Sequence, residues 1–153
     1  MSNKIYPIGI QNFEKIRKGG YCYIDKTAWI YQMVKTGSYY FLSRPRRFGK
    51  SLLLSTLEAY FQGKKKLFEG LAIEKLEKDW FKYPILHIDL NTEKYDTPER
   101  LENKLNRTLV EWEKIYGAES AETSLAMRFE GIIQRACEKE GQSVRSEEHT
   151  SEL

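Results

Sequence analysis

The chain has 153 residues, of which 41% are hydrophobic and 31% are charged, with 25 Lys and Arg residues against 22 Asp and Glu residues. This length and apolar content suit one domain with a hydrophobic core. No apolar run approaches the roughly 20 residues of a membrane-spanning helix, and the N-terminus lacks a signal-peptide core, so we expect a cytoplasmic protein without membrane contact. Cys22 and Cys137 are isolated and His87 and His149 lie far apart, which argues against disulfides and a zinc site.

The first elements along the chain are predicted to be short. Residues 7–18 predict a loop and a helical turn that ends at Gly19, because glycine breaks helices. Residues 21–24 are β-prone. Asp25 can then cap the first turn of the next helix, which is predicted to end at Gly37.

A strand, a polar loop and a helix are predicted next. Tyr39–Leu42 is a continuous aromatic and aliphatic run, typical of a strand buried on both faces of a parallel sheet. A polar loop over 43–51 leads into a Leu-rich helix that ends at Gly63. A phosphate-binding loop requires this order of elements.

The second half of the chain predicts another strand and two long helices. Pro84–Leu90 is a second apolar run, and Thr97-Pro98 predicts the start of a helix that ends at Gly117. A further apolar stripe predicts a helix that ends near Gly141. Strands and helices in this order predict an α/β fold with a parallel sheet flanked by helices.

Positive charge is concentrated in one part of the sequence. From Arg44 to Lys66, seven Lys and Arg residues accompany one carboxylate, Glu58, which gives a local charge of +6. Such a segment favours an anionic partner, which is phosphate, nucleotide or nucleic acid. Residues 64–66 by themselves are interpreted as a solvated loop.

The polar loop carries part of a phosphate-binding motif. Gly49-Lys50-Ser51 fits the second half of the G-x-x-x-x-G-K-[ST] pattern, with Arg44 in the place of the first glycine. Gly49 would let the backbone approach a phosphate, Lys50 would reach the β- and γ-phosphate oxygens, and the Ser51 hydroxyl would ligate Mg²⁺.

Two arginines of the loop add to this interpretation. Arg46 and Arg47 could form charge-assisted hydrogen bonds with phosphate. The alternative is that the loop only begins a helix and leaves its arginines in solvent. A lysine at a helix N-terminus opposes the helix dipole, so the phosphate interpretation explains Lys50 better.

The segment from Phe41 to Leu57 resembles the phosphate-binding loop of the bacterial AAA-ATPase-like family, in which R-P-R-x-F-G-K-[ST] replaces the glycine-first form. Residues 7–10, 23–27, 61–65 and 84–90 are also similar, and the resemblance extends over residues 5–144. It implies a P-loop NTPase fold, with ATP and Mg²⁺ as ligands. The nucleotide-binding residues that it implies are Arg44, Pro45, Arg46, Arg47, Phe48, Gly49, Lys50, Ser51 and Leu52.

Family members are usually longer. They continue into a strand that ends in an acidic pair, and many carry a domain similar to the PD-(D/E)XK nucleases. Residues 1–144 are therefore interpreted as the N-terminal part of an AAA-ATPase-like domain, truncated at its C-terminal side. Residues 145–153, read back through the genetic code, resemble a sequencing-library adapter, so we interpret them as a non-native tail; the alternative is an ordinary polar terminus.

Asp89 is a weaker candidate metal ligand. It ends the predicted strand 84–90, where ligands bind in open α/β sheets, but Leu90 stands where a catalytic Glu would follow. Asp25 is interpreted as a helix cap, and His87 as an ordinary strand residue.

Three functional hypotheses follow. The first is an ATP-binding domain that turns ATP over poorly, because no acidic partner is recognisable. The second is a nucleic-acid-binding or regulatory module, in which the basic residues of 44–66 contact phosphates and Tyr39 or Tyr40 stacks on bases; the expected burial of Tyr39–Leu42 counts against it. The third is a fragment without a function of its own, which would expose apolar surface and aggregate.

Overall fold

The computed structural model describes residues 4–45, 47–91 and 94–149, with the backbone alone for 146–149. These residues form two compact units, which meet in the sequence between Phe81 and Lys82. We call the part up to Phe81 the first unit and the part from Lys82 the second unit.

The first unit is helical and has an aromatic core. Phe13 and Phe68 are fully buried, with ring centroids 4.8 Å apart. Trp80 packs on the rings of Phe68 and Tyr60, at 5.2 and 5.7 Å between centroids. The helices are α1 (Phe13–Lys18), α2 (Thr27–Thr36), α3 (Lys50–Phe61) and α4 (Ala72–Leu76), with a 3-10 turn at Lys65–Phe68.

The second unit is a pair of long helices with short strands. Its core consists of Leu86, Leu109, Trp112 and Ile132. Apolar residues three and four positions apart form the stripes that the helices bury against each other. The elements are β1 (Ile85–Asp89), α5 (Pro98–Tyr116), α6 (Leu125–Glu140) and β2 (Arg145–His149).

Most of the predicted helices are confirmed, including their ends. Pro98 is the first residue of α5, and Gly117 and Gly141 follow the last residues of α5 and α6. At Gly141 the backbone has φ 65°, a left-handed conformation that glycine adopts without strain. The predicted strand over 84–90 is also confirmed, as β1.

The two strands of the second unit pair in parallel. The register runs from Ile85 opposite Arg145 to Asp89 opposite His149. β2 lies within the residues that we interpret as a non-native tail, and that interpretation stays a prediction.

The prediction of a P-loop NTPase-type parallel sheet flanked by helices is wrong. The structure is mostly helical, and before Arg145 its described residues contain a single strand, β1. Neither residues 21–24 nor Tyr39–Leu42 form a strand, and Tyr39 and Phe41 are 96% and 90% exposed instead of buried. A β-prone apolar run becomes a strand only when a neighbouring strand supplies hydrogen-bond partners, and none lies beside these runs in the described residues.

None of the described helices combines the length and the apolar character that crossing a membrane requires.

Candidate functional site

The predicted phosphate loop is an exposed turn directly before α3. Arg44 and Pro45 are exposed and lie outside helices and strands. Arg47 is exposed and has φ 65°, a backbone conformation that costs energy in a residue with a side chain. Phe48 is 62% exposed. Arg46 lies outside the described residues.

Gly49 makes the transition from this turn to α3. Its φ of 81° and ψ of 17° are left-handed, and a Cβ atom built there would have no neighbour within 4 Å. Glycine is therefore favoured at this position for its conformation and not for lack of space. The Gly49 carbonyl accepts the first hydrogen bond of the helix from the Leu53 amide, at 2.9 Å.

The first turn of α3 consists of Lys50, Ser51 and Leu52, all half-buried. It contains no acidic residue, and Gly49 has no side chain that could cap it. Amide groups at the start of a helix have no partner within the helix and carry the positive end of its dipole. The turn therefore presents N–H groups and a lysine side chain in a setting that favours an anion.

The helix behind the turn is fixed to the N-terminal segment. The Ser55 hydroxyl accepts a hydrogen bond from the Phe13 amide, at 3.0 Å, and itself donates to the Leu52 carbonyl, at 2.9 Å. Thr56, which is 1% exposed, donates to the same carbonyl at 2.7 Å. The start of α3 is thus hydrogen-bonded to α1 within the first unit.

Asp25 has the structural role that the sequence suggested. Its Oδ1 atom accepts hydrogen bonds from the Thr27 amide and hydroxyl, at 2.9 and 2.6 Å, and its Oδ2 atom accepts one from the Ala72 amide at 2.7 Å. Burial opposes ionisation, but the bonds from Thr27 and Ala72 outweigh it and hold the pKa of Asp25 below its ordinary value. One carboxylate therefore accepts the amide of the first residue of both α2 and α4, although the N-cap positions of these helices are Lys26 and Leu71.

Asp89 lies in the second unit, at the end of β1. Its Oδ1 atom accepts a hydrogen bond from the Asn91 amide at 2.9 Å. Within residues 4–45, 47–91 and 94–149, no three His, Cys, Asp or Glu residues are grouped so that they could hold a metal ion. Contact between Asp89 and Mg²⁺ stays a prediction.

A buried carboxylate, Glu77, was missed in the sequence. It is 6% exposed, it accepts a hydrogen bond from the Tyr60 hydroxyl, and the Lys35 ammonium lies 3.0 Å from its Oε2 atom. Its Oε1 atom accepts bonds from the amides of Lys78 and Asp79. Burial raises the pKa of Glu77, but these partners prevail and the pKa lies below its ordinary value. Its partners on α2 and α3 are distant in sequence, so no local pattern indicated the cluster.

The lysines after Gly63 do not act as one group. The Lys64 ammonium lies 2.9 Å from a Glu14 oxygen, and Lys18 lies 2.6 Å from the other. Lys65 and Lys66 are exposed. Hydrogen bonds from Lys18 and Lys64 lower the pKa of Glu14 to about 2. Lys64 therefore joins the end of the α3 region to α1 and is less available to an anion than its neighbours.

Comparison with known proteins identifies the family. The family described as "AAA-ATPase_like: Predicted AAA-ATPase" matches residues 7–145. A curated protein of Azotobacter chroococcum mcd 1, described as an uncharacterized protein in the vnfD 5′ region, is 40% identical over 146 residues. The match covers 94% of this chain and 28% of that relative's length. No solved structure matches. The chain therefore belongs to the AAA-ATPase-like family.

Proposed function

We propose that residues 44–52 bind the phosphates of ATP and that the chain is the nucleotide-binding part of an ATPase. The observation that carries the proposal is the start of α3, where a left-handed Gly49 precedes Lys50 in a first turn without carboxylates. A lysine at this position costs about 0.3–1 kcal/mol against the helix dipole, and a bound phosphate would reverse the sign of that contribution. Membership of a family of predicted ATPases supports the same ligand.

In this proposal each group of the loop contacts a different part of the ligand. The amides of the first turn and the Lys50 ammonium hold phosphate oxygens, and the exposed Arg44 and Arg47 add charge-assisted bonds. The Ser51 hydroxyl is an oxygen of the type that Mg²⁺ takes, so the ion would enter with the nucleotide and be held mainly by its phosphates.

We expect binding of ATP by this chain with little turnover. Hydrolysis requires a group that positions the attacking water, and the described loop offers cations and amides but no carboxylate. In this proposal the chain binds ATP in the cytoplasm, where ATP and Mg²⁺ are available.

The test is calorimetric titration of Mg²⁺·ATP into the wild-type chain and into Lys50→Ala. Loss of a charge-assisted phosphate contact should weaken binding by about 1.5–3 kcal/mol, or roughly tenfold to 150-fold. Lys65→Ala is the matched control, because Lys65 is an exposed lysine of the same basic segment outside the loop. Equal affinity in the wild type and Lys50→Ala would show that α3 does not bind phosphate.

A further inference from the structure

We propose that Tyr39 and Phe41, together with the basic loop that follows them, bind single-stranded nucleic acid. The two rings are 96% and 90% exposed, although the sequence predicted a buried strand. This proposal does not depend on ATP binding, because the two rings lie outside residues 44–52, although Arg44 and Arg47 are shared with the proposed phosphate site.

Tyr40 fixes the segment to α2 between the two exposed rings. Its hydroxyl donates to the Met33 carbonyl at 2.5 Å, and its ring covers Gly37 so closely that a Cβ atom there would overlap it. Tyr40 is thereby turned toward the helix, while its neighbours on both sides extend into solvent. The side chains of Tyr39 and Phe41 are thus exposed on either side of Tyr40, the residue that holds the segment to α2.

The charge around these rings favours a polyanion over a second copy of the chain. From Lys26 to Leu57, a stretch of 32 residues contains no Asp or Glu. A second copy would bring like charges together, whereas a phosphate backbone would pair with them. The cations of this stretch are Lys26, Lys35, Arg44, Arg46, Arg47 and Lys50, of which Lys35 is paired with Glu77.

The exposed rings favour a single strand over a duplex as the ligand. In a duplex the base faces are already stacked on one another, whereas bases of a single strand are free to stack on aromatic side chains. Arg44 and Arg47 are exposed a few residues after Phe41, so they can contact the phosphates between stacked bases. Aromatic rings followed by cations fit single-stranded RNA or DNA of any base sequence.

The experiment measures the fluorescence anisotropy of labelled oligothymidine at low salt with the full chain. The double variant Tyr39→Ala/Phe41→Ala should bind at least about 25-fold more weakly, since each stacked base contributes at least about a factor of five. Tyr6→Ala is the matched control, because Tyr6 is a 74% exposed aromatic residue of the same unit; it should bind like the wild type. Affinity should fall steeply as salt is added.

Three outcomes would overturn the proposal. They are no binding at low salt, equal binding by the wild type and the double variant, and equal competition by duplex DNA. Self-association that the double variant abolishes, without oligonucleotide binding, would assign the rings to a contact between copies. The double variant Tyr39→Ala/Phe41→Ala should retain ATP affinity while it loses oligonucleotide affinity, because both rings lie outside residues 44–52, and this separates the result from failure of the phosphate site.

Discussion

Different interactions stabilise the interior of each unit. In the first unit, the aromatic rings of Phe13, Tyr60, Phe68 and Trp80 pack on one another. In the second unit, two arginines of α6 form paired bonds with carboxylates outside that helix. Arg128 binds Glu113 at 2.7 and 2.9 Å, and Arg135 binds Glu122 at 2.6 and 3.1 Å. The polar contacts of the two units differ as well: in the first unit the carboxylates of Asp25 and Glu77 each accept several hydrogen bonds, mostly from amides and hydroxyls, whereas in the second unit the carboxylates pair with arginines.

Phe68→Ala should have the largest effect. Phe68 is fully buried among three aromatic rings, and removal of such a side chain costs about 3–5 kcal/mol of unfolding free energy. Urea unfolding followed by tryptophan fluorescence measures this change, because Trp80 packs on the same ring.

Phe41→Ala provides the control for this prediction. Phe41 is in the same unit but 90% exposed, so its replacement should change stability by less than about 0.5 kcal/mol. Similar losses in the two variants would contradict the view that the aromatic cluster stabilises the first unit.

Gly131→Ala tests the polar geometry of the second unit and should lower the melting temperature. Gly131 lies within α6, where alanine is ordinarily more stable than glycine by about 1 kcal/mol. Here a Cβ atom would overlap the Glu122 carboxylate, which Arg135 holds against the glycine. We expect the displaced ion pair to outweigh the gain in helix propensity.

The sign of this effect should reverse when Glu122 is removed. In a Glu122→Ala background, Gly131→Ala should stabilise the chain by about 1 kcal/mol, as helix propensity predicts. Thermal unfolding of the four variants of this cycle measures the coupling. A stabilising Gly131→Ala in the wild-type background would show that Glu122 does not restrict this position.

The smallest effect is expected at Glu14, a carboxylate of the first unit that forms ion pairs with Lys18 and Lys64 near the surface. Its pKa is lowered from 4.5 to about 2 by hydrogen bonds from Lys18 and Lys64. A lowered pKa stabilises the folded state above pH 4.5, and this contribution is lost as the pH falls toward 2. Lys64→Ala should raise the pKa of Glu14 in a carboxyl NMR titration, whereas Lys65→Ala should leave it unchanged.

Local sequence patterns predicted the helices but not the fold. Pro98, Gly117 and Gly141 mark helix ends through backbone conformation, so neighbouring residues suffice to predict them. Tyr39–Leu42 had the composition of a buried strand, but a strand requires partners that no local pattern can specify.

Only part of the candidate site could likewise be predicted from the sequence. The position of Gly49 at the start of a helix follows from its short motif, whereas the positive φ of Arg47 has no signal in the sequence. The Glu77 cluster was missed because its partners Lys35 and Tyr60 are 42 and 17 residues away. Contacts of this kind depend on how helices pack, which follows from the whole fold.

The parallel pairing of β1 with β2 has a consequence for the evolution of this region. The ladder from Ile85–Arg145 to Asp89–His149 is built from main-chain amides and carbonyls, which every residue except proline supplies in full. The pairing itself therefore requires no particular side chain at residues 145–149. The side chains of this segment can change without loss of the ladder, and the core of α5 and α6, which lies before Arg145, can stay the same.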